Sequence, residues 1–350
     1  MLPEASLVHG AGAGTGARTG TSPVGASAAS SLSSTGRAWG KVILLGEHAV
    51  VYGVPALAVG IDLGARASAV RGGGAKSTLE VPGWGVSVSE GDGGTDLARA
   101  WTAIVVAARQ DSRAVLSAGP VVLTGHAELP PGGGLGCSAA LGVAIARALV
   151  PGMTSEEAAG LAMSWERVFH GNPSGIDAAV AAHGGSILYE KGSPMQSVPL
   201  KVSLTVCLGS TGIASSTKTM VDGVARLREK KPELVEKAFS GITSLVRNAR
   251  LALEAGDLAA LGNLMNLNQM ILSGLLLSTE EIERLCGTAR DDGALGAKLT
   301  GAGGGGCVVA LAPDAATAEQ IVAGWKVAGF TGFSTSVRPT QVTTGHEAQL

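Results

Sequence analysis

The stretch Leu129–Leu149 reads LPPGGGLGCSAALGVAIARAL and contains five glycines and two prolines. Its first half predicts a loop, and its alanine-rich second half predicts a helix that follows directly. Consecutive glycines let backbone N–H groups converge on one point, and the start of a helix adds positive potential there. We therefore expect an anion site, with a polyphosphate as the ligand. No Lys-Ser or Lys-Thr pair closes the glycines, so the stretch is not a Walker loop.

The start of the predicted helix also offers a metal ligand. The Ser138 hydroxyl would lie beside the bound phosphates, where Mg²⁺ needs oxygen ligands. A plain turn is the alternative for a glycine-rich loop, and we favour the anion site. The predicted cradle comprises Pro131, Gly132, Gly133, Gly134, Leu135, Gly136, Cys137 and Ser138.

Composition narrows the class of protein. The chain has 350 residues, enough for two domains, with 45% apolar but only 3% aromatic residues, which predicts an aliphatic core. A net charge of −2 argues against nucleic-acid partners and against a polybasic membrane anchor. No apolar run reaches the roughly 18 residues of a membrane span. The four cysteines form no CxxC pair, so we expect free thiols and a cytoplasmic location.

Helix and strand patterns are mixed without strict alternation, which favours an α+β class. Pro55–Ile61 and Ala65–Arg71 predict two strands, and the chain from Ser216 to Arg290 is almost continuously helical in pattern. Residues 1–35 are rich in Gly, Ala, Ser and Thr, which predicts a disordered extension; an organelle transit peptide is the alternative.

Two further segments resemble parts of a known family. GKVILLGEHAVVYG begins at Gly40 and AKLTGAGGGGCVVA begins at Ala297, on either side of PPGGGLGCSAA. In this order, the three segments resemble the motifs of the GHMP kinases, a superfamily of small-molecule kinases. Within the superfamily, GEHAVVYG and HGNPSGIDAAV are most similar to the mevalonate kinases. The resemblance covers roughly residues 37–338.

The resemblance implies a two-domain fold. The N-terminal domain would be like ribosomal protein S5 domain 2, the C-terminal domain would be ferredoxin-like, and the active site would lie between them. We expect the boundaries to fall at 36–195 for the first domain and 196–340 for the second, with a flexible tail at 341–350.

The resemblance also assigns catalytic and metal-binding roles. Asp177 matches the catalytic aspartate, and Lys41 matches a lysine that contacts it and the acceptor hydroxyl. Glu166 lies eleven residues before Asp177, as does the metal-binding glutamate of the family. From the residues alone, Lys41 could be an edge lysine that reaches water, Glu166 an exposed helix residue, and Asp177 a capping residue three positions after Ser174.

Three residues match acceptor-side positions of the family, namely Glu47, His48 and Thr217. The threonine that Thr217 matches faces the catalytic aspartate, here Asp177. His48 could equally be a buried, hydrogen-bonded histidine, and Thr217 could cap a helix. The loop Gly301–Gly306 has five glycines in six residues, more than a turn requires. We expect Gly303 and Gly304 to lie beside the nucleotide phosphates, as the third motif does in the family.

The implied reaction is ATP- and Mg²⁺-dependent phosphorylation of the 5-hydroxyl of mevalonate, a step of isoprenoid biosynthesis. Another GHMP kinase, such as a phosphomevalonate kinase, is the first alternative. It is disfavoured because GEHAVVYGVPAL and HGNPSGIDAAV contain no Lys or Arg for a phosphorylated acceptor. A binding protein without catalysis is the second alternative, although it need not keep Lys41, Glu166 and Asp177 together. The oligomeric state stays open, with a homodimer as one option.

Overall fold

A seven-stranded sheet organises the first half of the chain. The computed structural model describes residues 33–129, 133–171 and 173–339. The sheet has the order β4-β3-β5-β2-β6-β7, and β1 pairs with β2. All of its pairs are antiparallel except the parallel pair of β3 and β5. The strands are β1 (Ser33–Leu45), β2 (Ala56–Arg71), β3 (Thr78–Val81), β4 (Val86–Ser89), β5 (Val121–Ala127), β6 (Ser186–Tyr189) and β7 (Gln196–Ser197).

In the described residues, four α-helices accompany this sheet, namely α1 (Asp96–Ala108), α2 (Cys137–Leu149), α3 (Ser155–His170) and α4 (Ile176–His183). Helices α2 and α4 contact β1 and β2 directly. The predicted glycine loop therefore leads into a helix that lies against the strand of the first motif. Fully buried Trp101, Leu141 and Trp165 belong to the core that these helices share with the sheet.

The second half has a four-stranded antiparallel sheet in the order β11-β8-β10-β9. Its strands are β8 (Leu204–Ser210), β9 (Gly296–Thr300), β10 (Cys307–Ala312) and β11 (Thr331–Val337). This order, with helices after the first and third strands, is the ferredoxin-like arrangement that was expected. The helices are α5 (Thr217–Lys230), α6 (Pro232–Ala255), α7 (Leu258–Gly274), α8 (Glu280–Asp291) and α9 (Ala315–Val327).

One apolar core connects the two halves. Val42 and Leu57 of the first sheet belong to the same buried cluster as Phe239, Leu261 and Leu299 of the second half. The two-domain α+β class is confirmed; the N-terminal half keeps a core of its own around Trp101, and the shared core continues from its sheet into the C-terminal half. None of the helices in the described residues combines the length and apolar character needed to cross a bilayer.

Several predicted boundaries need correction. Residues 33–35 belong to β1 rather than to the N-terminal extension. The two strands expected over residues 55–71 are a single long strand, β2. Strand β7 pairs with β6, so the first sheet continues past the boundary predicted at residue 195, and the second begins at Leu204. The remaining extension and the predicted tail lie outside the described residues.

The contact of β1 with α2 depends on a glycine. A Cβ atom built at Gly36 would lie 2.0 Å from the carbonyl oxygen of Ala144 in α2. We expect Gly36→Ala to lower the free energy of unfolding by about 2 kcal/mol or more, because strand and helix must separate. Urea unfolding measures the change.

Gly83→Ala is the matched control, because a Cβ atom there meets no heavy atom within 4 Å. Its effect should stay within about 0.5 kcal/mol. Equal stabilities of the two variants would contradict close packing at Gly36.

Candidate active site

Helix α2 begins without a side-chain cap. Its N-cap residue, Gly136, has a left-handed backbone (φ 73°) and provides no side-chain hydrogen bond. The first N–H groups of the helix therefore stay available to an anion, which the helix dipole also favours. Gly133, Gly134 and Leu135 lead into this start, whereas Pro131 and Gly132 of the predicted cradle lie outside the described residues.

Lys41 of β1 holds the glycine loop. Its backbone N–H donates to the Leu135 carbonyl at 2.8 Å, and its ammonium donates to the Gly134 carbonyl at 3.3 Å. A Cβ atom at Gly136 would lie 3.1 Å from Cβ of Lys41, so glycine also permits this close approach. The interpretation of Lys41 as a solvent-reaching edge residue is wrong, since the side chain is only 4% exposed.

Asp177 neutralises the buried lysine. Its Oδ1 lies 3.0 Å from Nζ of Lys41, while 37% of the Asp177 side chain stays exposed. Asp177 lies in the first turn of α4, whose dipole stabilises a carboxylate. The structure thus brings the two predicted catalytic residues together, with the carboxylate accessible from outside.

The expected capping arrangement at α4 is wrong. The N-cap residue is Gly175, with φ 90° and no side-chain cap, rather than Ser174. The Ser174 carbonyl instead accepts a hydrogen bond from the hydroxyl of Tyr189 in β6. Sequence reasoning missed Tyr189, because no local pattern connects it with the start of α4.

The two predicted metal ligands contact each other. The Ser138 hydroxyl donates to Oε1 of Glu166 at 2.7 Å and accepts from the indole N–H of Trp165 at 3.2 Å. The pKa of the Glu166 carboxyl is raised to about 7, mainly by burial and to a smaller extent by nearby Asp177, against the opposing effects of the Ser138 hydrogen bond and Lys41. Glu166 is therefore a buried site residue, and the exposed-surface alternative is wrong.

The glycine segment of the third motif, Gly301–Gly306, lies beside the glycine loop that precedes α2. A Cβ atom at Gly301 would be 3.7 Å from the Gly134 carbonyl oxygen, so the two loops adjoin. Cβ atoms at Gly303 and Gly304 would lie 2.4 Å from the Leu277 carbonyl oxygen and 2.5 Å from Sδ of Met220. The absence of side chains at these two positions is thus explained by packing within the protein, and their contact with nucleotide stays a prediction.

Glu47 is part of a buried ion pair between the two halves of the chain. Its side chain is completely buried, pairs with the equally buried Lys298 of β9, and accepts from Nδ2 of Asn268 at 3.3 Å. Burial raises the pKa of Glu47 and lowers that of Lys298, and their mutual attraction opposes both shifts. In this structure the carboxylate connects the two halves of the chain, and its contact with the acceptor stays a prediction.

His48 is buried with one free nitrogen. Its Nε2 donates to the Ala302 carbonyl, and burial lowers its pKa, which favours the neutral ring. Nδ1 is then an acceptor, and it has no partner among the described residues. Both interpretations of His48 stay compatible with this geometry, since one nitrogen serves the fold and the other remains available.

Two further site residues, Thr217 and Cys137, lie at the starts of helices. Thr217 is exposed in the first turn of α5. The N-cap of this helix is Ser216, so the interpretation of Thr217 as the capping residue is wrong. No hydrogen bond joins Thr217 to Asp177 within the described ranges, and its role stays a prediction. The Cys137 thiol donates to the Leu129 carbonyl at 3.4 Å, which leaves only its backbone N–H for a phosphate.

Most of the chain is similar in sequence to known proteins. The family model described as GHMP kinases N terminal domain matches residues 100–185, and the model described as GHMP kinases C terminal matches residues 249–329. A mevalonate kinase from Thermococcus sibiricus is 37% identical over 311 residues, covering 82% of this chain and 92% of the relative. One from Pyrococcus horikoshii is 38% identical, covering 81% and 91%.

A solved structure is also similar. The crystal structure of L. major mevalonate kinase in complex with R-mevalonate has a TM-score of 0.74 and 31% sequence identity. The match covers 89% of this chain and 98% of that one.

The raised pKa of Glu166 predicts a pH-dependent stability. Between the ordinary value of 4.5 and about 7, the folded protein keeps a proton that the unfolded chain has lost. The free energy of unfolding therefore falls as pH rises through this interval, by about 3 kcal/mol in total. Glu166→Gln has no proton to lose, so without ligands it should gain stability relative to the wild type as pH rises from 4.5 to 8.

Urea unfolding across this pH range measures the difference. Glu156→Gln removes an exposed carboxylate from the same helix and controls for the loss of one charge. If the free energy of unfolding changed with pH in parallel for the wild type and Glu166→Gln, burial would not raise the pKa of Glu166.

Proposed function

This chain belongs to the GHMP kinase family, in the mevalonate kinase group, and on that premise we propose that it transfers the γ-phosphoryl group of ATP to the 5-hydroxyl of mevalonate. The observation that carries the proposal is the Lys41–Asp177 pair, at 3.0 Å, beside the uncapped start of α2. Phosphoryl transfer needs a phosphate cradle next to a group that controls the acceptor proton, and this arrangement offers both.

Asp177 would act on the acceptor hydroxyl. Its carboxylate is partly exposed and held by Lys41, so an incoming hydroxyl can donate to it. The hydroxyl must lose its proton as its oxygen bonds to phosphorus. Lys41, whose position is fixed by Gly134 and Asp177, would stabilise the negative charge that develops on that oxygen. His48 offers its unpaired Nδ1 as an acceptor for another polar group of the substrate.

The residues fit a magnesium ion. Ser138 and Glu166 offer a hydroxyl and a carboxylate oxygen 2.7 Å apart, which are the hard ligands that Mg²⁺ prefers. Groups of three or more His, Cys, Asp or Glu that could hold a metal are absent from the described residues, so substrate phosphates would have to complete the shell. When bound there, the ion would neutralise phosphate charge.

The location and assembly of the protein are further parts of the proposal. The four cysteines are free and buried, which supports a reducing compartment such as the cytoplasm. A homodimer remains a prediction.

An assay of acceptors tests the reaction. ADP release should be fast with mevalonate, and kcat/KM should be at least about 10²-fold lower with phosphomevalonate, homoserine and galactose. Polar groups of the site that bind one acceptor lose their hydrogen-bond partners when a different acceptor is bound. Comparable kcat/KM with phosphomevalonate would favour the alternative GHMP kinase. Tight ATP binding without ADP release for any acceptor would favour a binding protein.

The catalytic pair predicts a second outcome. Asp177→Asn should lower kcat by about 10² to 10⁴, the usual contribution of a general base. Lys41→Met keeps the apolar stem but removes the charge, and should cost about 10² or more. If the residues act as a unit, the double variant should be little slower than the slower single variant.

Circular dichroism and calorimetric ATP binding must show that each variant is folded and binds nucleotide. A folded, ATP-binding Asp177→Asn protein with near-normal kcat would leave Asp177 only a structural partner of Lys41.

A further inference from the structure

Three contacts join the first motif to the third. The Ile43 backbone meets the Thr300 side chain, the Glu47 carboxylate meets the Lys298 ammonium, and the His48 ring meets the Ala302 carbonyl. We call these three contacts the seam. The partners are more than 250 residues apart in sequence, and the seam lies where the two sheets share their core.

The seam completes an unpaired strand edge. Within the described part of the chain, β1 pairs only with β2, so the outward backbone groups of β1 need other partners. At Lys41 the partner is the Leu135 carbonyl of the glycine loop before α2, which we call the phosphate loop. At Ile43, two residues further along the same edge, the partner is the hydroxyl of Thr300.

Thr300 satisfies both backbone groups of Ile43. The Ile43 N–H donates to Oγ1 of Thr300 at 3.2 Å, and the same hydroxyl donates to the Ile43 carbonyl at 3.2 Å. Thr300 is 2% exposed, so water cannot replace it without a rearrangement. The hydroxyl thus takes the place of a neighbouring strand for one residue.

The position of Thr300 in the chain links this contact to the reaction. It is the last residue of β9, and Gly301, which follows it, adjoins Gly134 of the phosphate loop. On the other side, Ile43 is two residues from Lys41. One hydroxyl therefore connects the strand that carries the catalytic lysine with the segment that leads into the third glycine loop.

We propose that Thr300 is a positioning residue for phosphoryl transfer, which holds Lys41 of the N-terminal half in register with the glycine loops of both halves. The proposal rests on the proposed function. The Glu47–Lys298 pair anchors the same seam further along. Thr300 has no need to touch substrate, because it acts through Ile43 and β1.

The test compares Thr300→Val with Thr300→Ser. Valine has the shape of threonine but no hydroxyl, so both bonds to Ile43 are lost, whereas serine keeps them. We expect Thr300→Val to lower kcat at least about tenfold, since small misplacements of reacting groups are costly. KM for ATP and mevalonate should change less than about threefold, and Thr300→Ser should keep at least about half of the wild-type kcat. Calorimetric ATP stoichiometry corrects each kcat for the active fraction.

Ser77→Ala is the matched control for stability. Ser77 directly precedes β3 and is completely buried, and its hydroxyl accepts from the backbone N–H of Val121 in β5 at 3.2 Å. We expect Ser77→Ala to lower the melting temperature about as much as Thr300→Val does, but to leave kcat unchanged. An equal loss of kcat in Ser77→Ala, or in Thr300→Ser, would overturn the proposal.

A second measurement needs no acceptor. Hydrogen exchange of the Ile43 amide, followed by nuclear magnetic resonance, should be faster in Thr300→Val than in the wild type and in Thr300→Ser. Unchanged exchange, or an unchanged kcat of Thr300→Val, would overturn the positioning role. If the wild type phosphorylates an acceptor other than mevalonate, the proposed function fails, and the same kcat comparison is made with that acceptor.

Discussion

The burial of one ammonium group organises the centre of this protein. Lys41 lies on a strand among apolar neighbours and is 4% exposed, so its charge needs partners within the fold. The Gly134 carbonyl and the Asp177 carboxylate provide them. These partners come from the phosphate loop and from the start of α4, which explains why both segments converge on β1. A neutral residue at position 41 would remove the reason for this convergence.

Helix starts show how the sequence separates structural from functional ends. Helices α1, α3 and α8 begin at threonine caps whose side chains accept backbone N–H groups. Helices α2 and α4 begin at left-handed glycines without a side-chain cap. Their first-turn N–H groups gain no side-chain acceptor from the cap, and both starts lie at the Lys41 site. The protein thus forgoes capping stabilisation at the two helices whose positive ends serve the site.

Much of this arrangement could be predicted from local sequence. Periodicity and glycine breaks predicted the α+β class and most helices, and the family resemblance implied that Lys41 contacts Asp177. Contacts between distant residues could not be predicted. Nothing in the sequence around Glu47 indicates its partner Lys298, 251 residues away. The two-residue strand β7 was not predicted for the same reason, because only its pairing with β6 defines it as a strand.

The core shared by the two halves has a consequence for synthesis on the ribosome. Val42 and Leu57 are made early, but their apolar neighbours Phe239 and Leu299 follow some 180 to 260 residues later. At about 5 to 20 residues per second, the first sheet waits on the order of ten seconds or more with apolar surface uncovered. The nascent N-terminal half is therefore a natural client for chaperones, and kinase activity should emerge only after the last strands have been released.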